Sequence, residues 1–401
     1  MSLDLTKVVG QVGQMVARLK AAGNERGNSL PQALDVLHRQ SGELEQLKAK
    51  IAASKTSWLV AGLVDRPDRH YKPLPLPEEF TVIATDGSQI EVDRNQSARC
   101  YLINIGSITL RYGSTPDAIL DSTPYLYINE EDLVIKPGEV GGREQPVEGP
   151  LLGIKRAVAE CQRLAQLSQE LPAGSMTLAL LDGSLILWGL TSKDYPDFVS
   201  QALLEKGLLI YLEQMRKLNK DRRLAVASYV SYPRSTDVVN TLRVAICPHE
   251  PPNCDKYCAM KAQKDCEALA GVQDAHLFTE LLGPQERSAI FVSRSSVVQQ
   301  HYGEHCVHFF YVKADDEIAR VEVPQWVAQD ENLLNLTHTL VLDQCRRGQG
   351  YPVALSEAHE QAVVREADRA NFWQLVETLL ADEHLPNTTS GKSRSKKTRW
   401  L

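Results

Sequence analysis

Nowhere does this chain of 401 residues stay apolar for the roughly 20 positions that a membrane-spanning helix requires; its longest apolar runs, SWLVAGLV and MTLALL, stop well short. No membrane span is therefore expected. The opening MSLDLTKVVGQV lacks both a basic start and a continuous apolar segment, which argues against a secretory signal and makes the cytoplasm the expected compartment. In that compartment eight cysteines do not read as a disulfide framework. Basic residues are outnumbered by acidic ones, 44 to 51, for a formal net of −7. Taken alone that sum discourages nucleic-acid binding, but the distribution is uneven. Lys392, Arg394, Lys396, Lys397 and Arg399 crowd the last ten residues and leave the body more acidic still, so the tail is a candidate contact for phosphate or for a partner. Beyond one doubled tripeptide there is no internal repeat.

With 43% hydrophobic and 24% charged residues, the composition is that of a globular protein long enough for one elaborated domain or for two. Leu34, Leu37, Leu44, Leu47 and Ile51 recur at helical spacing and predict an amphipathic helix in an N-terminal helical region. The proline-rich RPDRHYKPLPLPEEF that follows reads as a stiff, extended connection. Boundaries are placed accordingly: residues 1–70 as helical region and linker, 71–385 as the main domain, and 386–401 as a basic tail expected to be disordered.

Three strands are predicted at 80–85, 100–113 and 124–128, with the alternation and short turns of an antiparallel meander. A helix over 149–171 follows, then the strand MTLALL, one long helix through DFVSQALLEKGLLIYLEQMRKLNK, the strand RLAVASYVSY and a helix starting near Ser235 or Thr236. The order β-β-β-α-β-α-β-α predicts an α/β protein with an RNase H-like core and a mixed central sheet, in which the first and fourth strands are neighbours. Further strands at SAIFVS, CVHFFYVKA and IARVEVP, a helix near 330–347 and one from Ser356 to about Asp382 would extend and flank it.

Both central strands end on Asp-Gly-Ser, at Asp86 and at Asp182. One such ending is an ordinary turn, and two capped structural turns remain an alternative. On neighbouring strands, however, the two carboxylates would come within reach of one another, and Glu160 of the intervening helix could join them. Hard divalent cations such as magnesium and manganese are held by carboxylate oxygens from several elements, and such sites hydrolyse phosphodiesters. Gly87 and Gly183 are expected to turn the backbone away from each carboxylate. Near the C-terminus, in PVALSEAHEQAVV, Ser356 is expected to cap a helix with His359 on its first turn, where an imidazole can ligate metal, touch a phosphate or move a proton.

In this order, ATDGSQI, RAVAECQ, LLDGSLI and LSEAHEQA resemble the motifs of the NurA nuclease family, DNA end-processing enzymes that work with the HerA hexameric ATPase. The resemblance runs from about residue 80 to about residue 370. It implies an RNase H-like fold, manganese or magnesium dependence, a homodimer enclosing a DNA channel, and cleavage of single- and double-stranded DNA with 5′-to-3′ exonuclease polarity in double-strand-break end resection. By position, Asp86 and Asp182 match the family's metal-binding aspartates and His359 its late histidine. Glu160 matches the middle glutamate, with Glu148 and Glu170 as alternatives. Where the family often carries lysine after the fifth strand, this chain reads SYVSYPRSTD and offers Arg234, which keeps the charge and adds a bidentate phosphate grip. Two rivals are a non-catalytic DNA-binding adaptor of a translocase and an RNase H-like nuclease acting on RNA or hybrids.

One motif stands apart from the resemblance. Cys247, Cys254, Cys258 and Cys266 fall within twenty residues, with His249 beside them. Four thiolates could hold zinc or an iron–sulfur cluster, although the short Cys-x2-Cys pair of many zinc sites is missing, and unligated thiols are the alternative.

Overall fold

The computed structural model describes residues 4–93, 96, 98–137, 142–190, 195–259 and 264–385. The chain divides into two compact units, the first made of residues 1–73, 230–299 and 306–322, the second of 74–229, 300–305 and 323–401. The basic tail singled out in the sequence lies outside the described residues. Among the described residues no helix is long and apolar enough to cross a membrane.

In the first unit the N-terminal apolar stripe is divided between two helices, α1 (Val9–Gln40) and α2 (Leu44–Ala53), rather than carried on one. The break falls at Ser41-Gly42, where the Ser41 hydroxyl donates back to the Leu37 carbonyl at 2.8 Å and closes α1. Leu37, Leu47 and Ile51 nevertheless reach one core, which they share with Val238, Leu242 and Phe278.

The second unit carries the strands that position the acids. β1 (Phe80–Ile90), β2 (Tyr101–Tyr112) and β3 (Asp117–Tyr127) form an antiparallel meander. β4 (Met176–Asp182) runs parallel to β1, and β5 (Arg223–Val230) parallel to β4. The resulting order, β3-β2-β1-β4-β5, is the mixed α/β arrangement of an RNase H-like core. Val82, Ile83 and Ala84 of β1 and Leu178, Ala179 and Leu180 of β4 have no exposed surface, the continuous apolar pattern of strands covered on both faces. One cover is α3 (Pro150–Glu170), which packs on β1 and β2. Its first position is proline, whose missing N–H costs nothing there. Between β4 and β5 the expected single helix is interrupted by a π-helical stretch, Gln201–Leu208, ahead of α4 (Leu209–Leu218). The wider turn lets Leu203, Leu204 and Leu208 all face inward.

The first unit resumes with α5 (Asp237–Ala245), α6 (Asp274–Leu281), β6 (Val307–Ala314) and β7 (Glu317–Pro324). SAIFVS, expected as one strand, is two short pieces, Arg287–Ser288 and Phe291–Val292, each paired with β6. Buried charge ties this unit together. Arg320 donates to Asp237 Oδ2 and Glu322 Oε1, each at 2.9 Å. Asp274 accepts from the amides of Val238 and Val239 in the first turn of α5, groups that have no partner within their own helix, and from the Tyr311 hydroxyl at 2.7 Å. Burial, with the charge of Asp237 nearby, pushes the Asp274 carboxyl up to about 7.

Back in the second unit, α7 (Glu331–Arg347) starts on an Asp330 cap, whose carboxylate accepts from the amides of Asn332 and Leu333. The helix expected from Ser356 to Asp382 is two, α8 (Val353–Ala362) and α9 (Glu366–Asp382), parted where Val363 turns extended. Ser356 does not cap: α8 begins three residues earlier, after Pro352, so His359 sits in its last turn rather than its first. α8 lies on β1 and β2, and Gly106 makes the approach possible, since a Cβ there would overlap the Ala358 carbonyl oxygen and stand 2.5 Å from Ala362 N.

Candidate active site

The parallel pairing of β1 and β4 runs as far as Thr85 opposite Leu181. Asp86 and Asp182 are the next residues on each strand, and neighbouring strands lie about 5 Å apart. Both carboxylates therefore stand at the same end of the sheet.

The two Asp-Gly-Ser copies differ in conformation. Gly183 has φ 82° and bends the chain after β4, as expected of a turn. Asp86, Gly87 and Ser88, by contrast, stay inside β1, opposite Gly106, Ile105 and Asn104 of β2. Gly87 is needed for closeness rather than bending. A Cβ on it would stand 2.6 Å from Glu160 Oε1 and 2.9 Å from Arg156 Cγ.

Asp86 Oδ1 accepts from the Gly87 amide at 2.7 Å, and Oδ2 lies 2.7 Å from His359 Nδ1. The aspartate side chain is 13% exposed and the imidazole 64%, so the pair leads from the interior to solvent. Asp182 Oδ1 accepts from the Tyr351 hydroxyl at 2.9 Å. Partial burial raises the Asp182 carboxyl above its usual range, and the charge of Asp86 adds to the effect. The Tyr351 phenol is raised too, by burial and then by Asp182, and its ring packs edge-on against Tyr229 of β5 at 5.6 Å.

Of the three glutamates weighed from the sequence, Glu148 pairs with Arg99 at 3.4 Å and the exposed Glu170 with Arg163 at 3.6 Å. Glu160 is the buried one. Desolvation pushes its carboxyl up to about 8; the Arg156 guanidinium opposes this, and the charges of Asp86 and Asp182 add to it. Arg156 and Tyr351 were not singled out in the sequence. Arg156 stands one helical turn before Glu160, a spacing that could have found it. Tyr351 sits in the irregular GQGYP connection, where no periodicity marks it.

As the chain stands, no three His, Cys, Asp or Glu side chains are gathered as metal ligands among the described residues. Arg156 Nε is 3.0 Å from Glu160 Oε1, yet both atoms are sealed from solvent with no hydrogen-bond partner among the described residues. A buried carboxylate answered only by the Arg156 guanidinium among the described residues, beside two aspartates that raise its proton affinity, has the charge to take a cation. The donor set, three carboxylates from two strands and a helix, suits a hard one such as magnesium or manganese. In donor type, though not gathered as ligands here, Asp86, Asp182 and Glu160 fit such a cation.

Two other sequence candidates lie in the first unit. Arg234 is exposed on the connection between β5 and α5. Cys254 opens the short helix Cys254–Tyr257 and Cys258 follows it, while Cys266 Sγ lies 3.8 Å from Arg243. The described residues bring no three of these thiols together for zinc or an iron–sulfur cluster.

Among solved structures, the chain is similar to the crystal structure of the catalytic domain of human Endonuclease V, with 11% identity over 88% of this chain and 99% of that one and a TM-score of 0.33. No curated protein matches it. The sequence profile of the NurA domain matches residues 80–364, most of the chain and a span that holds Asp86, Glu160, Asp182, Tyr351 and His359. The chain belongs to the NurA domain family, a family of nucleases.

Proposed function

We propose that the protein is a divalent-metal-dependent DNA nuclease, a 5′-to-3′ exonuclease and single-strand endonuclease that resects double-strand breaks as a homodimer with a HerA-type hexameric ATPase. One observation carries the hydrolytic reading: Asp86 and Asp182 stand at matched positions on parallel strands, with His359 bonded to the first. Bound there, magnesium or manganese would supply the Lewis-acid stabilisation of attacking and leaving oxygens that phosphodiester hydrolysis needs.

The chain's own residues do the rest. Asp86 and Asp182 would offer oxygen ligands from the two neighbouring strands, and Glu160 a third from α3. Tyr351 fixes the rotation of the Asp182 carboxylate through its hydroxyl. Arg156 balances Glu160 while no cation is present. His359, on the solvent side of Asp86, is placed to contact the scissile phosphate or to hand a proton to the leaving oxygen. Arg234 is the residue proposed to grip substrate phosphate.

A labelled linear duplex and a labelled single strand, incubated with manganese, test this reading. Wild-type protein should shorten the duplex from its 5′ ends and cut the single strand; Asp86→Ala and Asp182→Asn should each bring cleavage to background. Unchanged rates in both variants would remove the proposed site. Binding to the ATPase without any metal-dependent cleavage would favour the adaptor, and faster cleavage of an RNA–DNA hybrid would favour the ribonuclease.

A further inference from the structure

A cavity of about 440 Å³ opens in the second unit at the other end of the sheet. Met176 and Arg223, which line it, are the first residues of β4 and β5, whereas Asp182 is the last of β4. At about 3.3 Å per residue, the strand puts roughly 20 Å between the cavity and the acids. The cavity is therefore separate from the acidic cleft.

Its walls are of two kinds. Leu333 and Leu336, one turn apart on α7, face an apolar side completed by Trp326, while Asn332 and Asn335 repeat the same spacing with carboxamides. Arginines form the other side, and their partners leave charge over. Arg216 is answered by Glu213, with contacts of 2.7 and 3.0 Å. Among the described residues Arg222 donates to neutral acceptors, the carbonyls of Leu171 and Gln169. Arg223 reaches the Met176 sulfur at 4.0 Å. The acid on the rim, Asp330, already caps α7.

We propose that this cavity binds a nucleoside phosphate. An apolar wall takes the face of a base, a carboxamide offers the donor–acceptor pair that matches a base edge, and guanidinium groups take phosphate. Asn335 and Asn332 then read the edge, and Arg222 and Arg223 hold the phosphate. Such a ligand is either a free nucleotide or one unit of a strand. The assignment does not depend on the catalytic reading and would stand if the acidic cleft cleaved nothing.

The test uses the full chain carrying Asp86→Ala and Asp182→Asn, in EDTA, so that the acidic cleft contributes no metal-dependent binding. Deoxyadenosine 5′-monophosphate is titrated calorimetrically beside deoxyadenosine, inorganic phosphate and a short single-stranded oligodeoxynucleotide. The nucleotide or the strand should bind at one site per chain, roughly tenfold more tightly than deoxyadenosine or phosphate. Arg223→Glu and Asn335→Leu, each with an unchanged unfolding midpoint, should weaken that binding by roughly tenfold. Should one variant fail to fold, the other decides. Tighter binding of the strand would identify a nucleotide within a chain, and tighter binding of the monophosphate a free one; both support the site. No saturable binding of either, indifference to the substitutions, or phosphate binding as well as the nucleotide would overturn it. Cleavage assays on the otherwise wild-type chain report separately on the acidic cleft, so the two readings fail independently.

Discussion

His359 and Asp86 are 273 positions apart in the chain, and their Nδ1 and Oδ2 atoms are 2.7 Å apart in the fold. The contact is held from behind. Ser88 of β1 and Asn104 of β2 both donate to the carbonyl of Ala362, at the end of the helix that carries the histidine. The imidazole is thus fixed relative to the strand that carries the aspartate.

His359→Ala should therefore lower metal-dependent cleavage by roughly 10²- to 10⁴-fold, the range for losing a positioned acid–base group. With an exposed side chain, the histidine adds little to stability, so the thermal unfolding midpoint should barely move. Single-turnover rates measured beside a melting curve check both halves. A large fall in the midpoint would mean that the contact is structural instead.

Gly87→Ala and Gly106→Ala should separate function from folding. At Gly87 the new methyl meets two side chains, Glu160 and Arg156, which can shift. Overpacking of that kind costs about 1–3 kcal/mol, and the displaced carboxylate should cost at least roughly tenfold in rate. Gly106 offers no such relief, because the added methyl meets the backbone of α8 at Ala358 and Ala362. Its loss should exceed the range for Gly87, as denaturant midpoints of the two variants would reveal.

Gly87 and Gly183 show where the sequence stops being informative. Asp86, Asp182 and their strands were legible because apolar runs ending in the same tripeptide are a local pattern. Which glycine bends and which merely makes room depends on the partner strand. β2 continues beside Asp86 to the pair Ile90 and Leu102, and no property of residues 80–90 announces it. The division of the C-terminal run at Val363 and the placing of Tyr351 against Asp182 are likewise decided by packing. The core order was readable because element order alone constrains an α/β sheet; the buried cluster around Arg320 was not, because Asp237 reaches it from α5, 83 positions away from the strand that carries Arg320 and Glu322.

Tyr351→Phe keeps the ring against Tyr229 and removes only the hydroxyl that Asp182 accepts from. A hydrogen bond to a charged group contributes about 1.5–3 kcal/mol, so cleavage should fall by roughly 10- to 100-fold if the bond orients the carboxylate for a cation. Manganese affinity, measured calorimetrically without DNA, should weaken in parallel. Unaltered affinity and rate together would show that Asp182 needs no such guide.

The buried Asp274 gives a pH signature in the other unit. Its carboxyl is pushed up to about 7 by burial and by Asp237, against 3.8 for the ordinary side chain. Between those values the folded chain holds a proton that the unfolded chain has released, so folding gains from low pH. That contribution is complete below about 4 and is lost as the pH rises through about 7. The Tyr311 hydroxyl and the two α5 amides moderate the shift without reversing it. Denaturant stability measured from pH 5 to pH 8 should thus carry a falling component that Asp274→Asn removes. Asparagine keeps one acceptor for the α5 amides and cannot titrate, so the variant should show a flatter profile over that window. An equal slope in both proteins would place the titrating group elsewhere.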